Sequence, residues 1–117
     1  MVFKGEQKEK ELLTKVRREE EENRAKLLAE KVDFPYLNLA FIPIESDALK
    51  LIPKEKAEKT KAVIINREVK TLHLAVLNPD DKETQSLIAE LQKSGHTVKI
   101  FIVSQNSLQK ALSHYPS

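Results

Sequence analysis

The sequence contains no cysteine and no tryptophan, and only two glycines among its 117 residues. The lack of cysteine excludes disulfides, thiolate metal sites and cysteine nucleophiles. The glycines are Gly5 and Gly95, so neither GxxxxGK[ST] nor GxGxxG can occur. Those phosphate-binding loops need backbone without a Cβ beside the phosphate. We therefore predict that this chain is not an enzyme.

Other features are also scarce. The aromatics are four Phe and two Tyr, and the formal net charge is only +2, so we predict no nucleic-acid partner. No apolar run approaches the roughly 20 residues of a membrane span, and the charged N-terminus does not resemble a signal peptide. These observations predict a soluble intracellular domain.

The residues that commonly bind metals are dispersed. The three histidines are His73, His96 and His114, and no HExxH or comparable ligand spacing exists. We expect His73 to lie in a strand and face solvent. The neighbouring Asp80 and Asp81 resemble a carboxylate pair or a Mg²⁺ site, but both occur where a helix needs a cap. The sequence therefore predicts neither a metal site nor a cofactor.

Residues 1–33 form a segment of unusual charge density, with nine Lys/Arg and nine Asp/Glu. Opposite charges recur at helical spacing, which favours one helix over residues 6–32. Apolar side chains occur only at the two ends of this helix. The stretch from Arg17 to Arg24 carries no side chain that could be buried at a low cost in free energy. We predict a charged arm over 1–33, docked at its C-terminal end. It is either a solvated helix or a partner-binding helix whose exposed apolar patch is Leu12, Leu13 and Val16.

Residues 34–117 have the composition of a packed domain. An apolar, proline-containing segment over 34–44 reads as extended, and two short helices follow around residues 47–60. Strands are predicted at 62–68, 71–78 and 98–103. The helix between the last two begins with a capping box of Asp80 and Glu83 and ends at Gly95, where a left-handed residue is needed, and a final helix starts after Ser104. Strand–helix–strand implies a parallel pair. The fold class is α+β: a long charged helix and short helices, then a ββαβα unit with a three-stranded mixed sheet and helices packed on it.

Residues 50–70 are locally basic, with seven Lys/Arg against three Glu. One interpretation is an electrostatic docking face for an acidic partner or a nucleotide. The other is an ordinary solvated surface on a helix and a hairpin turn.

The order of residues resembles a known family. Residues 28–39 (LAEKVDFPYLNL) are similar to its "LAEQLGLPYVDL" segment, and residues 42–44 and 47–53 (IPI and DALKLIP) to its "IPIDPEALKLIP". Residues 74–79 and 104–115 resemble its "VALADP" strand end and its closing "DLEAALERYY" helix. The family is the N-terminal domain of the GspE/PilB ATPases of type II secretion and type IV pilus assembly. The match covers about residues 25–116.

The resemblance implies an accessory domain without the ATPase core. Such domains dock the motor onto an inner-membrane platform protein, so the implied partners are that protein and the core of the full-length chain. The implied location is cytoplasmic, at the inner membrane through partners. The chain stops after Tyr115 about where a linker to the core would begin. We therefore expect an excised domain or a truncated relative, with a freestanding regulatory protein as the alternative.

Some members of this family bind cyclic di-GMP through a motif that begins Arg-Leu-Gly, contains a second glycine, and ends in spaced Leu, Leu and Gln. Placed before residue 32, that motif puts Arg-Leu-Gly on residues 8–10 and the second glycine on Arg17. Its terminal positions fall on Arg24, Leu28 and Lys31, of which only Leu28 agrees. The missing glycines predict that cyclic di-GMP does not bind in that way. A cyclic di-GMP-sensing regulatory domain of the same family is the alternative function.

Overall fold

A computed structural model of the chain describes the backbone of residues 4–115 and the side chains of residues 16–115. Helix α1 spans Lys4–Val32, in agreement with the predicted helix. At 1.5 Å per residue its 29 residues are about 43 Å long. The molecule measures 59 × 35 × 23 Å, so α1 accounts for much of its longest dimension.

The remainder of the described chain forms a mixed α+β domain, as predicted. After a 3-10 turn at Leu39–Phe41, the elements in order are α2 (Ser46–Leu49), α3 (Lys54–Thr60), β1 (Ala62–Glu68), β2 (Thr71–Val76), α4 (Lys82–Lys93), β3 (Thr97–Ile102) and α5 (Gln105–Ser113). The predicted strands agree with these bounds to within two residues. The proposed division into an arm over 1–33 and a domain over 34–117 stays a prediction.

The three strands form one sheet in the order β1-β2-β3. β1 pairs antiparallel with β2, and β2 pairs parallel with β3 through the α4 crossover. The segment before the 3-10 turn extends the sheet at β3, because Leu37 N–H donates to Ile102 O at 2.9 Å and Ile102 N–H donates to Pro35 O at 2.8 Å. Tyr36 and Ile102 thereby form a parallel β-bridge at this edge of the sheet.

The core lies between the sheet and the helices. α2 and α5 pack against β1, and α4 packs against β3. The core's largest fully buried side chains include Leu39, Leu49, Ile64, Leu74, Leu87 and Ile102. β-branched and leucine side chains in the strands form the centre of this core. β-branched residues are typical of strands, so the sequence predicts where the strands lie.

Of the two predicted ends of α4, the C-terminal one is confirmed and the N-terminal cap lies one residue later than predicted. Gly95 ends α4 with φ of 91°, a backbone conformation that glycine adopts easily. The capping box was expected at Asp80, but Asp81 is the residue whose side chain accepts from Glu83 N–H. Asn78 Oδ1 accepts from Asp80 N–H, so the turn before α4 uses its own hydrogen bond and displaces the cap by one position.

The prediction that His73 faces solvent is wrong. Its side chain is only 18% exposed, and its ring lies 5.4 Å from that of Phe101. Val63 and Ala75, which are paired neighbours in the sheet, are fully buried. Both faces of β2 are therefore covered. The alternation of side chains along the strand for this reason does not distinguish a solvent-exposed face from a buried face.

Candidate partner-binding surface

Of the predicted patch, only Val16 can be placed. Leu12 and Leu13 lie outside the described side chains, whereas Val16 is 42% exposed on α1. Leu27 is one of the apolar residues at the C-terminal end of α1, which was predicted to dock, yet its side chain is 66% exposed. Ala25 and Ala29 are buried, at 6% and 4% exposure, and Leu28 and Val32 are partly buried against the core. The helix thus packs on the domain through two alanines and two larger apolar side chains.

Glu22 forms a polar junction between α1 and the domain. The hydroxyls of Tyr36 and Ser104 donate to its two carboxylate oxygens, one to each. Ser104 also caps α5, because its Oγ accepts from Ser107 N–H at 3.1 Å. Glu22 is therefore partly buried, although the stretch from Arg17 to Arg24 was expected to carry nothing that could be buried cheaply. The acidic run Glu19 to Glu22 gave no sign of which carboxylate would face inward.

The carboxylate of Glu22 also affects the tyrosine that binds it. Burial raises the pKa of Tyr36, and the hydrogen bond to Glu22 and the negative charge of Glu22 raise it further. The phenol therefore remains a neutral donor at every pH at which the domain is expected to function. Lys26 Nζ lies over the ring of Tyr36, 5.6 Å from the ring centroid.

An open groove of about 670 Å³ runs between α1 and the 3-10 turn. Its helix wall includes Arg18, Glu19, Asn23 and Lys26, and the opposite wall includes Tyr36 and Phe41. Phe41 is 85% exposed, an unusual position for a phenyl ring. Nothing in the sequence distinguishes Phe41 from Phe34, which is half-buried. Sequence reasoning therefore missed this surface.

The exposed ring is held on a well-anchored turn. Asn38 Oδ1 accepts from Ala40 N–H at 3.0 Å, and Ile42 N–H donates to Leu39 O. Leu39 is 1% exposed, and its N–H donates to Ser107 Oγ at 3.2 Å. Phe41 thus projects from a turn that the core fixes in place.

The basic segment over 50–70 lies partly along another groove, of about 460 Å³, between α3 and α5. Lys54 and Lys61 are exposed at its edge, and Leu77, Leu108 and Leu112 contribute to its lining. Lys56 pairs with Glu90. The segment is therefore mostly a solvated surface, with two lysines beside an apolar lining.

The described residues contain no group of three or more His, Asp or Glu side chains that could hold a metal ion. Among them, no helix is long and apolar enough to span a bilayer. Asp80 and Asp81 belong to the turn that begins α4. The groove between α1 and the 3-10 turn presents an exposed aromatic ring, carboxamides and charges of both signs.

The sequence of this chain is similar to those of known proteins. The family model described as the MshEN domain matches residues 32–117. The type IV pilus assembly ATPase PilB of Myxococcus xanthus (strain DK1622) is 29% identical over 96 residues, which are 82% of this chain and 17% of PilB. The chain therefore spans about one sixth of the length of that curated relative.

Solved structures share the fold. The structure of MshE with cdg (cyclic di-GMP) superimposes with a TM-score of 0.70 at 24% identity, covering 78% of this chain and 65% of that one. The N-terminal domain of XpsE gives a TM-score of 0.65 at 11% identity, covering 82% of this chain and 66% of that one. At these identities the likeness concerns the fold alone.

Proposed function

Since this chain belongs to the MshEN domain family, the N-terminal domain of GspE/PilB-type ATPases, we propose that it docks such a motor onto its membrane platform protein. The domain is not the catalytic ATPase core of these motors. We propose that it has no catalytic activity of its own and acts on the cytoplasmic side of the inner membrane, where it is held by its partner.

The observation that carries this proposal is the way α1 leaves the domain. Glu22, Ala25 and Ala29 attach the second half of the helix, whereas residues 16–20 are exposed. An amphipathic or charged helix that extends beyond its own domain offers a surface that a partner can cover without unfolding anything. Leu12, Leu13 and Val16 remain our proposal for the apolar contact on this arm.

A pull-down against the cytoplasmic region of the platform protein tests two proposals: that the chain docks onto this protein, and that the arm provides the apolar contact. We expect the unmodified chain to capture it, and simultaneous replacement of Leu12, Leu13 and Val16 by Glu to abolish capture. Leu27→Glu, at an apolar position that is also exposed, is the matched control. Undiminished capture by the triple variant removes the arm from the proposal, and no capture by the unmodified chain overturns docking itself.

The structure of MshE with cdg favours a second candidate function, the sensing of cyclic di-GMP. Against it, the positions of the expected glycines carry Lys10 and Arg17, both within the continuous helix α1. A calorimetric titration with cyclic di-GMP, with MshE as the positive control, decides between them. We expect no saturable heat from this chain, and micromolar or tighter binding would establish the second candidate.

A further inference from the structure

We infer that Glu22 is a positioning residue for docking: its two hydrogen bonds set the direction in which α1 leaves the domain, and thereby the place of the apolar contact on the arm. This inference rests on the proposed function, because it assigns a further residue to the same interaction. The contact itself is proposed at Leu12, Leu13 and Val16, whereas Glu22 lies further along α1 and acts through the helix.

The first argument is the place of Glu22 along the helix. Residues 16–20 are exposed, and the apolar side chains that pack α1 on the domain begin at Ala25. Between these two parts, the carboxylate of Glu22 accepts hydrogen bonds from two hydroxyls of the domain. The neighbouring Glu21 is half-buried but forms no hydrogen bond with the side chains of residues 16–115. Glu22 is therefore the hydrogen-bonded attachment of α1 that lies nearest to the exposed arm.

The second argument is that both donors are fixed parts of the domain. Tyr36 lies in the segment that extends the sheet beside Ile102. Ser104 is 2% exposed and caps α5, because its Oγ accepts from Ser107 N–H at 3.1 Å. Hydrogen bonds from one carboxylate to two separate elements restrict the rotation of the helix about either bond, whereas a single bond would leave α1 free to turn about it.

The third argument is the length of the arm beyond Glu22. At 1.5 Å per residue, Val16 lies about 9 Å along α1 from Glu22, and Leu12 lies about 15 Å from it. A tilt of about 20° at Glu22 therefore moves the helix axis at Leu12 by about 5 Å. Apolar side chains are in contact only when their atoms approach within about 4.0–4.5 Å. A small change in the direction of α1 is thus enough to remove the arm from a rigid partner surface.

Pulsed electron–electron double resonance measures the direction of the arm, with spin labels attached at Lys8→Cys on α1 and Gln85→Cys on α4. The chain has no cysteine of its own, so the labels attach only at these two positions. We expect Glu22→Ala to broaden the distribution of distances between the labels. Glu22→Gln is expected to restore the distribution, because a carboxamide accepts from one hydroxyl and donates to the other. Glu19→Ala, one turn earlier and exposed, is the matched control and is expected to leave the distribution unchanged.

A calorimetric titration of the full chain with the cytoplasmic region of the platform protein measures the consequence for docking. If the freed arm spends about a tenth of its time in the docking direction, the Kd of Glu22→Ala rises about tenfold. Glu22→Gln and Glu19→Ala are expected to bind as the unmodified chain does. Tyr36→Phe removes one of the two hydrogen bonds and is expected to change both measurements in the same direction by less. Circular dichroism verifies that each variant is folded at the temperature of the titration.

An unchanged distance distribution in Glu22→Ala overturns the inference, and so does a broadened distribution with an unchanged Kd, although docking stands in both cases. If Glu22→Gln behaves like Glu22→Ala, the hydrogen bonds of this side chain are not what positions the arm. If the unmodified chain does not bind the platform protein, docking and the positioning role fail together, and the distances then report only whether Glu22 directs α1.

Discussion

The hydroxyl of Tyr36 donates a hydrogen bond to the carboxylate of Glu22, which lies 14 positions earlier in the sequence. Because Ser104 donates to the other oxygen, one side chain of α1 joins the sheet extension and the start of α5. Apolar packing also holds this part of the helix, because Ala25 and Ala29 are buried and Leu28 and Val32 are partly buried against the core. The hydrogen bonds to Glu22 are expected to add to this packing and to fix the direction of the arm.

Tyr36→Phe removes one of these donors and leaves the ring in place. We expect the free energy of unfolding to fall by about 1–2 kcal/mol, because the lost bond goes to a charged acceptor. Urea denaturation measures the change. Glu19→Gln, one turn earlier and exposed, serves as the control and is expected to change stability by less than about 0.5 kcal/mol. Equal effects of the two variants would contradict the importance of the junction.

Val69 adopts φ of 51° at the turn between β1 and β2, a left-handed conformation that a β-branched residue rarely takes. Its side chain is 88% exposed, so packing does not offset the backbone strain. We expect Val69→Gly to raise the melting temperature, with a gain of about 0.5–1 kcal/mol. Val69→Ala retains the Cβ and is expected to gain less. A glycine variant no more stable than the alanine variant would count against strain at this position.

Tyr115 provides a prediction about alkaline pH. Its hydroxyl donates to Ile52 O at 2.9 Å, and burial raises its pKa from 10.0 to about 12. Above pH 10 the unfolded chain loses this proton while the folded chain keeps it, so the free energy of unfolding falls as pH rises toward the folded pKa. Tyr36, whose pKa is also raised, contributes in the same direction.

The comparison of urea denaturation at about pH 8 and about pH 11 isolates this effect. Tyr115→Phe has no phenol to titrate at this position, so its stability is expected to fall less between the two pH values than that of the unmodified chain. Every other side chain is the same in the two proteins, so the comparison removes the contribution of those side chains. Parallel losses in the two chains would show that Tyr115 does not retain its proton on folding.

The sequence predicted those parts of the fold that depend on local patterns. The runs of β-branched residues predicted all three strands. Gly95 predicted the end of α4 and Ser104 predicted the start of α5, and the structure confirms both. The Asp80 cap was wrong by one residue because the preceding turn has its own hydrogen bond. His73 was misassigned because burial on the second face of β2 depends on elements distant in sequence.

The candidate site was less accessible to sequence reasoning for a related reason. The hydrogen bond between Ser104 and Glu22 joins residues that are 82 positions apart. No periodic pattern of residues in the sequence indicates such a pairing. Phe41 is exposed because Leu39, two residues earlier in the same turn, occupies the core position. The choice between two neighbouring apolar residues is made by packing, so it became visible only in the folded molecule.

Isothermal titration of the full chain with the cytoplasmic region of the platform protein, without and with cyclic di-GMP, distinguishes docking from nucleotide sensing. We expect saturable binding of the platform protein, with the same Kd in both titrations. The absence of platform binding, together with saturable heat from cyclic di-GMP alone, would contradict the proposed function and identify a nucleotide sensor instead.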